Sequence, residues 1–354
     1  MRSTMIRVLV AEDSRAERAL LVSILESDPA IRVVGEAADG AQAVEMTLRL
    51  RPDLVTMDVH MPRLDGLEAT REIMVRAPTP IVVVSSSVRP DDIALSLRAT
   101  GAGALAAVAK PEGPASPRFE EDRAQLVAMV RAMADVKVVR RWGARPEAAV
   151  PPAPTPAPRA PVRLVAVAAS TGGPVALQTL LSALPATFPV PVLVVQHMSR
   201  GFVEVLARWL GSATALRVKV AAAGERLVPG TVYLAPDDQH LGVAPDGAAV
   251  ELSATPPEEG FRPSASNLFR SASAAYGESL LAVILTGMGS DGVRGLRAAR
   301  AAGALVLAQD EESSVIYGMP REAVQAGVVE AVLPLESIGP RLASLVSASD
   351  VAEF

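Results

Sequence analysis

Three reactive side chains each follow an apolar run of the sequence. Ser170 follows VRLVAVAA, His197 ends PVLVVQH, and Asp291 follows LLAVILTGMGS. Such runs are typical of buried parallel strands, whose carboxyl ends meet at one edge of a sheet. A serine becomes a nucleophile when a base lies at hydrogen-bond distance and an acid orients that base. The spacing therefore predicts a Ser-His-Asp triad, and the turn after Ser170 offers the free N–H groups of a helix start to stabilise an oxyanion.

Each member of this triad has another interpretation when taken alone. The segment ASTGGP resembles a Gly-rich phosphate loop, although it lacks a Walker lysine and the G-x-G-x-x-G pattern. His197 could be a packed histidine at a strand end, and Asp291 could cap the helix that follows it. The chain order Ser, His, Asp is no objection, because triads are defined by geometry. The absence of G-x-S-x-G around Ser170 argues against an ordinary α/β-hydrolase.

A second group of polar residues lies at the ends of the strands predicted in the N-terminal part. It comprises Glu12, Asp13, Asp58, Ser85 and Lys110. Three carboxylates within reach of one another repel and would hold a hard divalent cation, most naturally Mg²⁺. An aspartate can itself take up a phosphoryl group as an acyl phosphate, while a lysine and a serine contact the phosphoryl oxygens. The alternative is a set of unrelated surface acids, which the order of all five residue types disfavours.

The elements that must position these side chains alternate between strand and helix. In the N-terminal part we predict strands in IRVLVAED, IRVVGEA, DLVTMD, PIVVVSS and ALAAVAKP, and helices over Arg15–Leu25, Ala41–Leu50, Asp91–Thr100 and from Leu126 to Val136. In the C-terminal part we predict strands Val162–Ala169, Pro191–Gln196, LLAVILTGM and ALVLAQD, helices Val175–Leu181, Phe202–Leu210 and Val293–Ala301, and hairpins around TVYLAP and HLGVAPDGAAVEL. Both halves are therefore expected to be α/β: a doubly wound five-stranded parallel sheet, then a mostly parallel, Rossmann-like one.

Composition limits the class of protein. The 354 residues suggest two or three domains, and the seven prolines between Pro146 and Pro161 predict an extended linker that spans up to roughly 50 Å. The net charge of −5 leaves no basic face for nucleic acid, and the absence of cysteine excludes disulfides and thiolate metal sites. No apolar run approaches a membrane span and no signal peptide is visible, so we expect a cytoplasmic protein.

The N-terminal motifs AEDS, MDVHMPRLDG, VVVSS and the Lys-Pro of VAKP resemble the response-regulator receiver domain over roughly residues 5–125. The resemblance implies phosphorylation of Asp58 by a sensor histidine kinase, with Mg²⁺ on Glu12, Asp13 and Asp58 and the phosphoryl group on Ser85 and Lys110. The position three before the lysine, usually aromatic in this family, is Ala107.

The C-terminal motifs AASTGGP, VVQHMSRGF, YLAPDDQH, FRPSASNLF and LTGMGSDG resemble the catalytic domain of the CheB methylesterase family. The resemblance implies Ser170 as nucleophile, His197 as base, Asp291 as orienting acid and an oxyanion hole at the backbone N–H groups of Thr171 or Met288, with no cofactor. It also implies hydrolysis of glutamate methyl esters on chemoreceptors, deamidation of receptor glutamines, and activation by phosphorylation.

The expected organisation is thus a receiver domain over residues 1–125, a helix end and Pro/Ala-rich linker over 126–161, and a methylesterase domain over 162–350, acting as a monomer with no nucleic-acid partner and no insertion into membrane. Two rival hypotheses remain open. The C-terminal domain could be a catalytically inactive adaptor, and the enzyme could serve a chemosensory pathway other than swimming chemotaxis.

Overall fold

The computed structural model describes residues 5–85, 90–134, 136, 138 and 160–350, except for the side chains of 90–94 and 348–350. Most of the predicted Pro/Ala linker, residues 146–159, lies outside the described residues. None of the helices within these ranges has the length and apolar character needed to cross a membrane.

The N-terminal part is a parallel sheet with helices on both faces. Its five described strands have the order β2-β1-β3-β4-β5. The strands are β1 (Ile6–Ala11), β2 (Ile31–Ala37), β3 (Leu54–Met57), β4 (Ile81–Ser85) and β5 (Ala106–Ala109), and the helices are α1 (Arg15–Glu26), α2 (Gly40–Leu50), α3 (Gly66–Arg76), α4 (Pro90–Gly101) and α5 (Phe119–Ala134). The predicted doubly wound architecture is confirmed. The sequence predicted no helix at the position of α3. Helix α5 begins at Phe119, seven residues before its predicted start at Leu126.

The C-terminal part is built on a second, larger parallel sheet. Over residues 160–350 the strand order is β14-β13-β12-β6-β7-β9-β8, and every pairing is parallel. Its strands are β6 (Leu164–Ala169), β7 (Val192–Gln196), β8 (Arg217–Val220), β9 (Thr231–Leu234), β12 (Leu280–Ile284), β13 (Leu305–Gln309) and β14 (Ala331–Leu333), and β10 (His240–Val243) and β11 (Val250–Ser253) form a separate hairpin. Its helices are α6 (Gly173–Ser182), α7 (Val203–Ala213), α8 (Ala265–Tyr276), α9 (Val293–Ala301), α10 (Met319–Gln325) and α11 (Leu335–Asp350). The predicted mostly parallel α/β class is confirmed.

Several local features of the C-terminal part differ from the sequence-based expectation. The run TVYLAP does not form a hairpin, because β9 lies between β7 and β8 and pairs in parallel with both, which leaves β8 as the edge strand. The hairpin around Asp246 and Gly247 is present as β10 and β11. Strands β8 and β14 and helices α8, α10 and α11 were not predicted. RVKV is too short and polar to stand out, and the ASNLF helix follows a proline-rich loop.

The central strands of the C-terminal sheet place the residues that follow them at one edge of that sheet. Strand β6 is buried at every position, as expected for a parallel strand covered by helices on both faces. It lies between β12 and β7, and Ala169 pairs with Gln196 at its end. Ser170 and His197 therefore leave adjacent strands at the same level, where neighbouring backbones lie about 4.8 Å apart.

The N-terminal and C-terminal parts contact each other through β5 and α4 of the N-terminal part. The side chain of Leu97 on α4 is fully buried in the apolar cluster that includes α6 and α7 of the C-terminal part. The backbone N–H of Ala109 at the end of β5 donates to the hydroxyl oxygen of Ser199, at 3.1 Å. The carboxyl end of β5 is thus in direct contact with the loop that follows His197.

Candidate active site

Asp291 lies at the start of helix α8, although it belongs to the loop between β12 and α9. Its Oδ1 accepts from the Ser264 hydroxyl at 2.8 Å and from the Ser266 N–H at 3.0 Å, and its Oδ2 accepts from the Ala265 N–H at 2.7 Å. The positive end of the α8 dipole stabilises a carboxylate in this position. Burial raises the pKa of Asp291, but the hydrogen bonds and charge of His197 together with these N–H donors outweigh burial, so its pKa lies below its usual value.

His197 is held between Asp291 and an aromatic ring. Its Nε2 lies 2.9 Å from Asp291 Oδ2, and its ring stacks on Phe261 with centroids 4.2 Å apart. Its Nδ1 is buried and has no hydrogen-bond partner among the described residues. Because Asp291 occupies Nε2, Nδ1 is the ring nitrogen left to bind another group.

Ser170 lines the same cavity as His197 and is fixed through its backbone. Its N–H donates to Thr286 O at 3.0 Å, and its carbonyl accepts from the Gln196 amide at 2.8 Å. The next turn needs a glycine at Gly172, whose φ of 77° lies in the left-handed region. The Ser170 hydroxyl is not bonded to His197 Nδ1 in this structure. Serine–base bonds are commonly loose without substrate, so the arrangement remains compatible with proton transfer.

The two residues predicted to form the oxyanion hole both line this cavity. Thr171 is buried, whereas Met288 is exposed. Across the part of the chain that the structure describes, neither backbone N–H donates to another residue. Both are therefore available to a developing oxyanion, and their role stays a prediction.

Several residues of the site escaped the sequence-based reasoning. Ser264, Ser266 and Phe261 lie in the FRPSASNLF segment, for which the sequence predicts no chemical role. His240 supports the same segment: its Nδ1 accepts from the Ser264 N–H at 3.2 Å, and its Nε2 lies 3.2 Å from Pro256 O. The signal that could have found Ser264 is its position as N-cap of a helix, three residues before Asn267.

The cavity has a volume of about 890 Å³ and walls from both parts of the molecule. The C-terminal part supplies Ser170 and His197, and the N-terminal part supplies residues of α4, β5 and α5, including Ala107 and Met129. The cavity that Ser170 lines is therefore shared between the two parts of the molecule.

The second predicted site is also assembled by the fold. Carboxylate oxygens of Glu12, Asp13 and Asp58 lie within 4.8 Å of one another. The Lys110 ammonium lies 2.7 Å from Glu12 Oε2 and 3.5 Å from Asp58 Oδ1. The Ser85 hydroxyl at the end of β4 is buried and has no hydrogen-bond partner within the described ranges.

Burial and the neighbouring charges shift the pKa values of the carboxylates and of the lysine at this site. Burial raises the pKa of Glu12 to about 7, and the negative charge of Asp58 adds to this effect. Burial also raises the pKa of Asp58, although Lys110 opposes the change. For Lys110 burial lowers the pKa, but Asp58 and the hydrogen bonds to Glu12 and Glu17 outweigh it and raise the pKa. A divalent cation would relieve the repulsion between the carboxylates, and their oxygen donors suit such a cation.

Comparison with protein families gives two matches. Residues 165–342 match the CheB methylesterase family model, and residues 8–116 match the response regulator receiver domain model.

Individual relatives match nearly the whole chain. A protein named protein-glutamate methylesterase/protein-glutamine glutaminase 4 from Myxococcus xanthus is 56% identical, covering 97% of this chain and 98% of its own length. A protein of the same name from Geobacter metallireducens is 49% identical, covering 96% of this chain and 99% of its own. The crystal structure of the Thermotoga maritima CheB methylesterase catalytic domain is 40% identical, with a TM-score of 0.51, and covers 52% of this chain and 99% of that one.

Proposed function

The chain belongs to the CheB methylesterase family, and from this premise we propose that it is a phosphorylation-activated serine esterase that hydrolyses glutamate methyl esters on chemoreceptors. Deamidation of receptor glutamines, named for its relatives, is proposed as its second activity. The observation that carries the proposal is the 2.9 Å contact of His197 with the buried Asp291, because His197 lines the same cavity as Ser170.

The proposed reaction uses the three side chains in sequence. His197 Nδ1 removes the hydroxyl proton as Ser170 Oγ attacks the ester carbonyl, and the charge that forms on the carbonyl oxygen is stabilised by the N–H groups of Thr171 and Met288. The C–O bond to the methoxy group breaks, and His197 returns the proton so that methanol leaves. Water then attacks the acyl-serine by the same route and releases the glutamate carboxylate. Asp291 remains charged and stabilises the imidazolium in both steps.

We further propose that the N-terminal part is a receiver domain phosphorylated on Asp58. Glu12, Asp13 and Asp58 would hold Mg²⁺, which supplies positive charge against the incoming phosphoryl group. Lys110 would pair with the phosphoryl oxygens, and the unpartnered Ser85 hydroxyl would donate to one of them. A sensor histidine kinase of a chemosensory system is the proposed phosphodonor. The cytoplasmic location, the monomeric state and the domain boundaries at residues 125 and 162 stay predictions.

Methanol release tests the proposed function. Full-length protein would be incubated with acetyl phosphate, Mg²⁺ and receptor-containing membranes methylated beforehand with a radiolabelled methyl group. We expect volatile label to appear at a rate proportional to the enzyme, and a corresponding loss of receptor methyl esters by mass spectrometry. Receptors that keep their methyl esters in the presence of folded, phosphorylated protein would contradict the proposal.

Removal of the receiver domain is expected to raise the unphosphorylated rate. A fragment covering residues 161–354 lacks α4, β5 and α5, which cover the cavity, and lacks the Ala109–Ser199 hydrogen bond. Its methanol release should exceed that of the unphosphorylated full chain by about 5–150-fold, the usual range of coupling between sites. Acetyl phosphate should not change the rate of the fragment.

A fragment that is folded yet no faster than the full chain would show that the receiver does not block the site. Phosphorylation would then have to act by bringing the enzyme to its receptor. Circular dichroism of the fragment provides the control for folding.

A further inference from the structure

The side chain of Gln196 joins the backbones that carry the nucleophile and the base. Gln196 is the last residue of β7, and its side chain is buried. Its amide nitrogen donates to Ser170 O at 2.8 Å and to His197 O at 2.8 Å. Both N–H bonds of one rigid amide group are therefore used on the two residues that must exchange a proton.

The space for this amide group is created by a glycine. A Cβ built on Gly173 would lie 1.9 Å from Gln196 Oε1 and 2.7 Å from its amide carbon. Any other residue at position 173 would force the amide away from the Ser170 carbonyl. The second glycine of TGGP is thus explained by close approach of the Gln196 side chain to the start of α6.

The Gln196 amide nitrogen makes two hydrogen bonds, but among the described residues its oxygen makes none. Gln196 Oε1 is buried and has no hydrogen-bond partner in the described part of the chain. A buried unpaired oxygen destabilises a fold, whereas an apolar side chain of the same shape would avoid that loss. Packing alone therefore does not account for a glutamine here, and the two N–H donors are the feature that an apolar residue lacks.

We propose that Gln196 is a positioning residue that holds the backbones of Ser170 and His197 in a fixed relation, from which their side chains approach for proton transfer. The proposal rests on the esterase function proposed above. In the resting structure the Ser170 hydroxyl and His197 Nδ1 are not hydrogen-bonded, so their approach depends on how firmly the two backbones are held. An error of about 1 Å in such a placement can slow catalysis by about 10²-fold.

Two substitutions test this role in the full-length protein activated with acetyl phosphate and Mg²⁺. Gln196→Met keeps the length of the side chain and removes both donors, and Gln196→Glu keeps its shape and replaces the donors with acceptors. We expect either variant to lower kcat for methanol release by about 10–100-fold while KM changes by less than about twofold. A small fluorophosphonate, which phosphonylates the Ser170 oxygen and releases fluoride, should label both variants more slowly by the same factor.

Tyr233→Phe is the matched control. The Tyr233 hydroxyl donates to Arg226 O at 2.9 Å and accepts from the Val228 N–H at 3.0 Å, so its loss also removes two side chain–backbone hydrogen bonds from this domain. Tyr233 is buried in β9 and does not line the cavity. The control should lower the melting temperature by a similar amount and leave kcat and the labelling rate within about twofold of the unmodified protein.

The outcomes distinguish a failure of the positioning role of Gln196 from a failure of the proposed esterase function. Gln196 variants whose kcat and labelling rate match those of Tyr233→Phe would overturn the positioning role while leaving the esterase function intact. If one variant fails to fold, the other carries the comparison. An unmodified protein that neither releases methanol nor reacts with the fluorophosphonate would contradict the proposed function, and the role of Gln196 would fall with it.

Discussion

Replacement of Ser170 by alanine is expected to lower turnover by roughly 10⁴–10⁶-fold and to leave the fold intact. The hydroxyl is the only part of Ser170 that the proposed reaction uses, whereas its backbone N–H and carbonyl hold the loop through Thr286 and Gln196. Alanine keeps those backbone bonds, so the cavity and the His197–Asp291 pair should survive. The measurement is methanol release by purified protein activated with acetyl phosphate.

Ser212→Ala provides the matched control for this experiment. Ser212 is an exposed serine near the end of α7, where its hydroxyl donates to Trp209 O. Its loss should leave turnover unchanged within about twofold. If a folded Ser170→Ala variant kept more than a tenth of the unmodified rate, Ser170 could not be the nucleophile.

Replacement of Asp58 by asparagine is expected to abolish phosphorylation by acetyl phosphate and the activation that follows it. The carboxylate oxygen is the proposed nucleophile, and asparagine offers a similar shape with no charge to attack phosphorus or hold Mg²⁺. The unmodified protein should take up one phosphoryl group for each chain, and chelation of divalent cations by EDTA should prevent this uptake. Basal methanol release should persist in the variant, because the esterase residues belong to the other sheet.

Asp53→Asn is the corresponding control in the same sheet. Asp53 is exposed and accepts from the Arg7 N–H, a bond that the asparagine oxygen can also make. Its phosphorylation should equal that of the unmodified protein. Stoichiometric phosphorylation of Asp58→Asn would place the phosphoacceptor elsewhere in the chain.

The fold was largely predictable because its strands are buried on both sides. Strands such as LVAVAA and LLAVI are short runs of apolar residues between turns, and helices such as Val293–Ala301 carry a strong apolar face. Strands β8 and β14 were missed because they are only four and three residues long. Helices α3, α8, α10 and α11 also had no prediction. The hairpin assigned to TVYLAP was wrong because local pattern does not reveal which strand lies beside it.

For the candidate sites, the sequence predicted which residues take part and which strand ends place them. Ser170, His197 and Asp291 stand after apolar runs, as do Asp58, Ser85 and Lys110, and parallel strands deliver such residues to one edge. The structure brings each group together, and the chemical role of each residue awaits the experiments above. The sequence did not indicate that Asp291 would lie at the start of α8.

The sequence by itself determined the α/β class, the strand ends that carry reactive side chains, and the family to which both halves belong. These follow from patterns between near neighbours in the chain. Only the tertiary structure decided which nitrogen of His197 contacts Asp291, which donors hold that carboxylate, and that β5 would meet the loop after His197. Those contacts join residues 94, 27 and 90 positions apart, respectively. They depend on the packing of whole elements, which is set by the burial of their apolar faces against one another and not by local sequence.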